Sequence, residues 1–551
     1  MPQIRVAPTG WAVELDGSAL DTGVLGQLEA ATVVDRLTAP DTFSLVFRDF
    51  ALDVVSRAGF DIGKEIKIRA GGPYDAQEQD LITAEITGLE ADCDATGTRV
   101  VIRGYDKSHR LASGRRTATY QDMSISDIVQ QVAANASLNV DADATSGTLD
   151  HVLQANQSDL EFLYGLAATA GYDLRMDGDT LRFKAPVASS TGPAGTDTEA
   201  QDPAQLVFGA NLLEFYGRMS AVAQVSGVEV RGWNPKDKKE ITGTAKPTAT
   251  HAPQAVTPDS LAQKVGGGQM IVVNHGVTDQ ESANRLAKAR AEQVGSAAFE
   301  ATAVALGDPA LKAGTAVSVS GVDPALCGQW VVSGSRHEFN LAVGYRTTLE
   351  FNGRQDRSIM GLVTQGAGAA GGADRIPGAV IATVDDIDDP DSAGRVRVLY
   401  PWMGADAVSF WARLAAPGAG KDSGVVWLPQ VGDEVLVIFE QGDPDRPVVV
   451  AGLWNGTDTF PTGAIDGLDS GKVKACGFVS RSGHRIAFFE KDYSNKIEIA
   501  SADDKLKIVM DGGSGAIKIE ANGDISIKAG GAMNLEASGN MTIKGSTVAL
   551  N

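Results

Sequence analysis

A few residues in this chain have the types and near-spacing that chemistry requires. Gly418-Ala-Gly-Lys421 holds the glycines and lysine of a phosphate-cradling loop. Ala415 stands where the first glycine must be, and Asp422 replaces the hydroxyl residue that would hold magnesium, so a plain loop is expected. His337-Glu338 opens like a zinc-protease helix, yet Leu341 occupies the second histidine's place and the surroundings read as strand; His337 is expected to be structural. Asp385, Asp386, Asp388, Asp389 and Asp391 crowd one turn that could hold a hard cation. They lack the calcium-loop spacing and its closing bidentate glutamate, and a solvated turn is expected. Trp402, Trp411, Trp427 and Trp454 could stack on sugars or bases, but basic residues are sparse around them, which favours packing roles. No G-x-S-x-G nucleophile elbow occurs. The expectation is a protein that is not an enzyme, with no catalytic residue, no metal site and no cofactor.

The elements around these residues are those of a turn-rich β protein. The chain has 551 residues, 63 of them glycine, and a formal net charge of −22. That length exceeds a single hydrophobic core, and that charge repels phosphate backbones, so nucleic acid is not an expected partner. Cys93, Cys327 and Cys476 are too few and too scattered for a disulfide framework. The first ten residues lack the apolar core of a secretory signal, so synthesis and folding in the cytoplasm are expected.

Short alternating runs at Phe43–Phe47, Glu65–Arg69, Arg99–Arg103, Ser226–Arg231 and Thr315–Ser320 read as strands. Ser124-Ile-Ser-Asp127 and Ser158-Asp-Leu-Glu161 are capping boxes opening helices, the second stopping at Gly171. A third helix carries Ala283, Leu286, Ala287, Ala291 and Val294 on one face and is expected to stop at Gly295. Residues 1–364 therefore read as an α+β region, and the glycine-rich stretch 365–375 as a linker. Residues 376–460 read as a five-stranded barrel of the OB type, with strands at 395–400, 409–414, 425–428, 434–439 and 447–452. A connector at 461–484 leads to 485–551.

That last stretch contains an eight-residue repeat. Ile517 and Ile519, Ile525 and Ile527, Met533 and Leu535, and Met541 and Ile543 fill positions one and three, and Gly523, Gly531 and Gly539 fill position seven. Rougher copies lie at Lys496–Ala500 and Leu506–Val509. Such a strand is too short to cover its own apolar side, and eight residues cannot wrap a closed rung in one chain. Identical partner chains, each giving one side of a prism, can enclose these residues. The fourth position alternates Glu520, Lys528, Glu536 and Lys544, so cross-strand neighbours can pair by charge.

Several segments resemble one family. Gly104-Tyr-Asp-Lys-Ser-His-Arg-Leu111 and Gln154-Ala-Asn-Gln-Ser-Asp-Leu-Glu-Phe-Leu163 are similar to hub segments of phage late-control D and VgrG spike proteins. Asp389–Trp402, Leu428–Val437 and Gln441–Val448 resemble the first and last strands of the phage baseplate-spike OB domain, and Ser482–Ile486 resembles the entry to its β-helix. The resemblance implies β-barrel hub domains, an OB barrel and a C-terminal intertwined trimeric β-helix. It implies a homotrimeric hub and spike of a contractile injection system, either a released phage-tail-like particle or a type VI secretion machine. Inner-tube and baseplate proteins would meet the hub, a PAAR-like protein would tip the needle, an effector would be cargo, and a target envelope would be pierced. Some spikes of this kind carry a lysozyme after the barrel. Here about 20 residues separate Asn455 from Cys476, too few for a core of their own. The alternative is a carbohydrate- or receptor-binding tail fibre on a β-helix scaffold. It would require a distal head, for which Thr547–Asn551, directly after the last repeat, leaves no expected room.

Overall fold

The computed structural model describes residues 10–549 except 76, 96, 197–199, 201, 254, 274–276 and 354–374. It is 41% strand and 13% helix, and divides into Met1–Leu453 and Trp454–Asn551. Among the described residues no helix is long and apolar enough to cross a membrane.

In the first unit an eleven-stranded sheet serves two separate cores. Strict alternation builds the first: Phe43, Leu45 and Phe47 point inward from Thr42–Arg48, and Ile66, Ile68 and Ala70 from Glu65–Ala70. The second gathers Phe299, Ala301 and Ala303 around Trp330. The two meet where Leu28–Arg36 pairs antiparallel with Gly334–Asn340. Gly344–Phe351 serves both, giving Tyr345 to the first core and Leu349 and Phe351 to the second.

Both capping boxes form, opening helices Ile125–Asn135 and Asp159–Ala170, and Gly171 ends the latter in the left-handed conformation. Gly295 has a different role from the expected one. The third helix runs on through Gln280–Ser296, and a Cβ at Gly295 would sit 2.1 Å from the Thr248 carbonyl oxygen. Glycine is needed there for close backbone approach and not as a stop signal. The expected linker lies outside the described residues apart from Arg375.

The barrel sheet runs in the order Arg397–Leu399, Ala379–Asp386, Glu434–Phe439, Pro447–Gly452, Arg413–Leu414. Bridges Val396↔Ala412 and Leu399↔Val408 close it. Val425–Leu428 is not one of its strands; Ala379–Asp386 takes that count instead. Closure through 408–414 leaves the later segment no edge to join.

The second unit contains a five-stranded antiparallel ribbon: Ala475–Val479, Arg485–Phe489, Lys496–Ala500, Leu506–Asp511 and Ala516–Ala521. It begins inside the stretch expected as a connector. Both rougher repeat copies are paired strands, as is the first regular one, whereas the described residues from 525 to 543 form no paired strand.

Candidate functional sites: the hub–barrel joint and the ribbon face

Gly418–Lys421 is an exposed loop. His337 lies wholly buried in strand Gly334–Asn340, with Nδ1 2.8 Å from the Tyr345 hydroxyl. Burial, reinforced by the charge of Lys312, pushes its pKa down to about 3. A histidine lowered in this way binds its proton more tightly in the unfolded chain than in the fold. Its contribution is therefore intact above pH 6.5 and lost as pH falls towards 3. The His337→Gln variant is expected to show an acid-side stability slope shallower by about 1.4 kcal/mol per pH unit in that window, measured by denaturant titration.

The acidic turn is more ordered than a solvated one. Asp389 is nearly buried, takes Arg395 Nη2 at 2.6 Å, and accepts the amides of Asp391, Ala393 and Arg395. The Arg395 guanidinium holds its carboxyl well below the usual range, against the opposing effect of burial. The four tryptophans expected to pack do not fill a core of this chain. Trp402, Trp427 and Trp454 are more than half exposed, and the Arg397 guanidinium covers Trp411 at 5.7 Å.

The residues that tie hub to barrel come from a strand unremarkable in sequence. Leu149–Gln157 pairs with Arg116–Met123, and its alternation sends Leu153 and Ala155 into the barrel's core beside Val384, Val398, Tyr400 and Val437. His151 Nδ1 lies 2.8 Å from Asp445 Oδ1, and Nε2 lies 3.1 Å from the Val408 carbonyl oxygen. The Leu153 amide donates to the same Asp445 oxygen at 2.8 Å. Burial, together with the charge of Asp445, raises neighbouring Asp443 to about 6. His151 and Asp445 are 294 residues apart, and no local pattern announces the contact. Hub and barrel thus share buried apolar surface and a polar pin, where sequence reading expected two units on a linker.

The ribbon is sharply two-faced. Its register aligns one ladder, Cys476–Phe488–Ile497–Met510–Ile517, and beside it a second, Phe478–Ile486–Ile499–Ile508–Ile519. Every position of both ladders is apolar or cysteine. Phe478 is 54% exposed, Ile499 41% and Ile517 69%. The other face carries ions: Glu498 is buried between Arg485 at 2.7 Å and Lys496 at 2.8 Å, and Arg485 also pairs with Asp504. The repeat residues continue the exposed pattern at Ile519, Ile525, Ile527, Met533, Leu535, Met541 and Ile543. At Gly523, Gly531 and Gly539 a Cβ would meet nothing within 4 Å, so these glycines are not required by contacts inside the chain.

The first unit thus combines two sheet-lined cores with a barrel that shares one of its strands, and the second holds an amphipathic ribbon running into an octad repeat. A family model described as "Alg8 N-terminal domain" matches residues 47–340, and one described as "Type VI secretion system/phage-baseplate injector OB domain" matches 380–454. The chain belongs to the first of these families, whose match includes both segments that resemble hub sequences. It is 39% identical over 75 residues to the type VI secretion system spike protein VgrG1c of Pseudomonas aeruginosa, covering 13% of this chain and 10% of that one. The same identity and length relate it to the spike protein VgrG3 of Vibrio cholerae, covering 13% and 7%. The chain thus spans a tenth or less of these curated relatives. The structure of a Francisella PdpA–VgrG complex, half-lidded, matches with a TM-score of 0.54 at 8% identity, over 93% of this chain and 88% of that one. At that identity the likeness is one of fold.

Proposed function

We propose that this chain is the homotrimeric central hub and spike of a contractile injection machine, a structural and force-transmitting protein. The carrying observation is the ribbon's apolar face, two ladders deep and uncovered in the single chain. A contiguous apolar face of this kind marks an interaction surface. The octads beyond it continue the same apolar pattern, exposed in the single chain. Three chains joined along it would form a prism with Ile525, Ile527, Met533, Leu535, Met541 and Ile543 inside and Gly523, Gly531 and Gly539 at its corners. The two sheet-lined cores per chain support a hub that presents six such units in a trimer, suited to inner-tube and baseplate proteins. A PAAR-like protein at the needle end, an effector as cargo and transient contact with a target envelope complete the reading. The particle is assembled from cytoplasmic protein.

Light scattering is expected to give three times the chain mass, and a monodisperse monomer would reject the proposal. Replacing Ile525 and Ile527 together with aspartate is expected to destabilise the needle and abolish particle firing. Particles that assemble and deliver normally with both changes would remove the needle's mechanical role.

A further inference from the structure

The barrel carries two apolar features that its own fold leaves unused. The first is the segment Ser423–Val431, which contains no charged residue in a chain of net charge −22. Val426 is 85% exposed, Trp427 58%, Leu428 50% and Val431 60%. Its composition is that of a strand. Yet the barrel closes without it, and among the described residues neither the amide nor the carbonyl of Val426 or Leu428 makes a backbone hydrogen bond.

The second is the outer surface of the sheet formed by Ala379–Asp386, Glu434–Phe439 and Pro447–Gly452. The inner positions Ala382, Val384, Val435, Val437 and Val449 fill the core. The outer positions Ile381, Leu436, Ile438, Val448 and Val450 are apolar as well, Ile381 pairing with Leu436 and Ile438 with Val448. An outward barrel face facing water would alternate to polar residues. Here Ile381 and Ile438 stay exposed, and Trp402 joins them by donating its indole N–H to the Ile381 carbonyl at 2.9 Å.

We infer that the segment Gly424–Val431 of one copy seats, as an extended strand, on the outer apolar barrel face of a second copy. Each chain presents one plug and one socket, and neither covers the other within a chain, since both are exposed. A contact between two different patches is heterologous, and it closes into a ring when the rotation allows. Both patches are uncharged, so they are where copies of a strongly acidic chain can approach with least repulsion. This inference rests on the trimer reading and locates a barrel-to-barrel contact independent of the ribbon.

The test uses the full chain with Cys93 and Cys327 changed to serine and Cys476 to alanine. Oxidising the Val426→Cys, Ile438→Cys double variant is expected to give covalent two- and three-chain bands that neither single variant gives. Amides across Val425–Val431 are expected to exchange on the order of tenfold or more slowly in the wild-type assembly than in the Val426→Asp variant. A wild-type trimer with neither cross-link nor protection overturns this inference and leaves the trimer standing. Slow exchange without cross-linking places another part of the same chain on the segment and also overturns it. A wild-type monomer overturns the trimer reading and this contact with it.

Discussion

Replacing Leu153 with alanine is expected to cost roughly 2–5 kcal/mol and to lower the stability of hub and barrel together. Leu153 is wholly buried, belongs to a hub strand by its pairing, and packs among barrel side chains. Truncation leaves a cavity lined by Val398, Tyr400 and their neighbours, whose strands are fixed by barrel closure and cannot collapse onto it. Aspartate at 153 would add an unpaired buried charge beside Asp445, and no soluble full-length protein is expected from it. The informative measurement is hydrogen exchange across both 116–157 and 379–452 in the alanine variant. Loss of protection in the two regions by the same amount would show that they open as one unit. Loss confined to 116–157 would mean that the barrel stands without the hub strand.

The second large effect is expected at the ribbon. Changing Ile497 and Ile499 to aspartate places two charges in the central strand, one in each apolar ladder. If copies join along this face, each chain loses about 1.5–3 kcal/mol of burial per isoleucine and must desolvate two carboxylates. The assembly is expected to fall to single chains by light scattering. The opposite face offers the control: Lys518→Ser there is expected to leave the mass unchanged. A double variant that remained a trimer would show that the ribbon face is not where the chains meet.

Much of the architecture could be read from local pattern. Capping boxes at Ser124 and Ser158 announced two helices because their signals are satisfied within four residues. The alternation of Phe43, Leu45 and Phe47 announced a half-buried strand for the same reason. Where the reading failed, the deciding contact lay outside the local pattern. Val425–Leu428 has strand composition but meets a barrel already closed by 408–414. Gly295 resembles a stop signal until Thr248 arrives from elsewhere to demand the space. The acidic turn looks solvated until Arg395 folds back over Asp389. In the ribbon, sequence reading found the repeat from 517 and two rough copies. It missed that Phe478, Ile486 and Phe488 extend the same face upstream, because those strands do not keep the eight-residue period.

By itself, the amino-acid sequence determined that this chain is mostly β, non-basic, and carries an eight-residue apolar repeat. Those properties follow from composition and short-period alternation, which need no knowledge of what lies across the fold. The tertiary structure alone decided that a hub strand belongs to the barrel's core, that His151 meets Asp445 across 294 residues, and which barrel strand is left over. Long-range pairing is set by which edges close first and which apolar surfaces can meet, and adjacent residues carry no record of that competition.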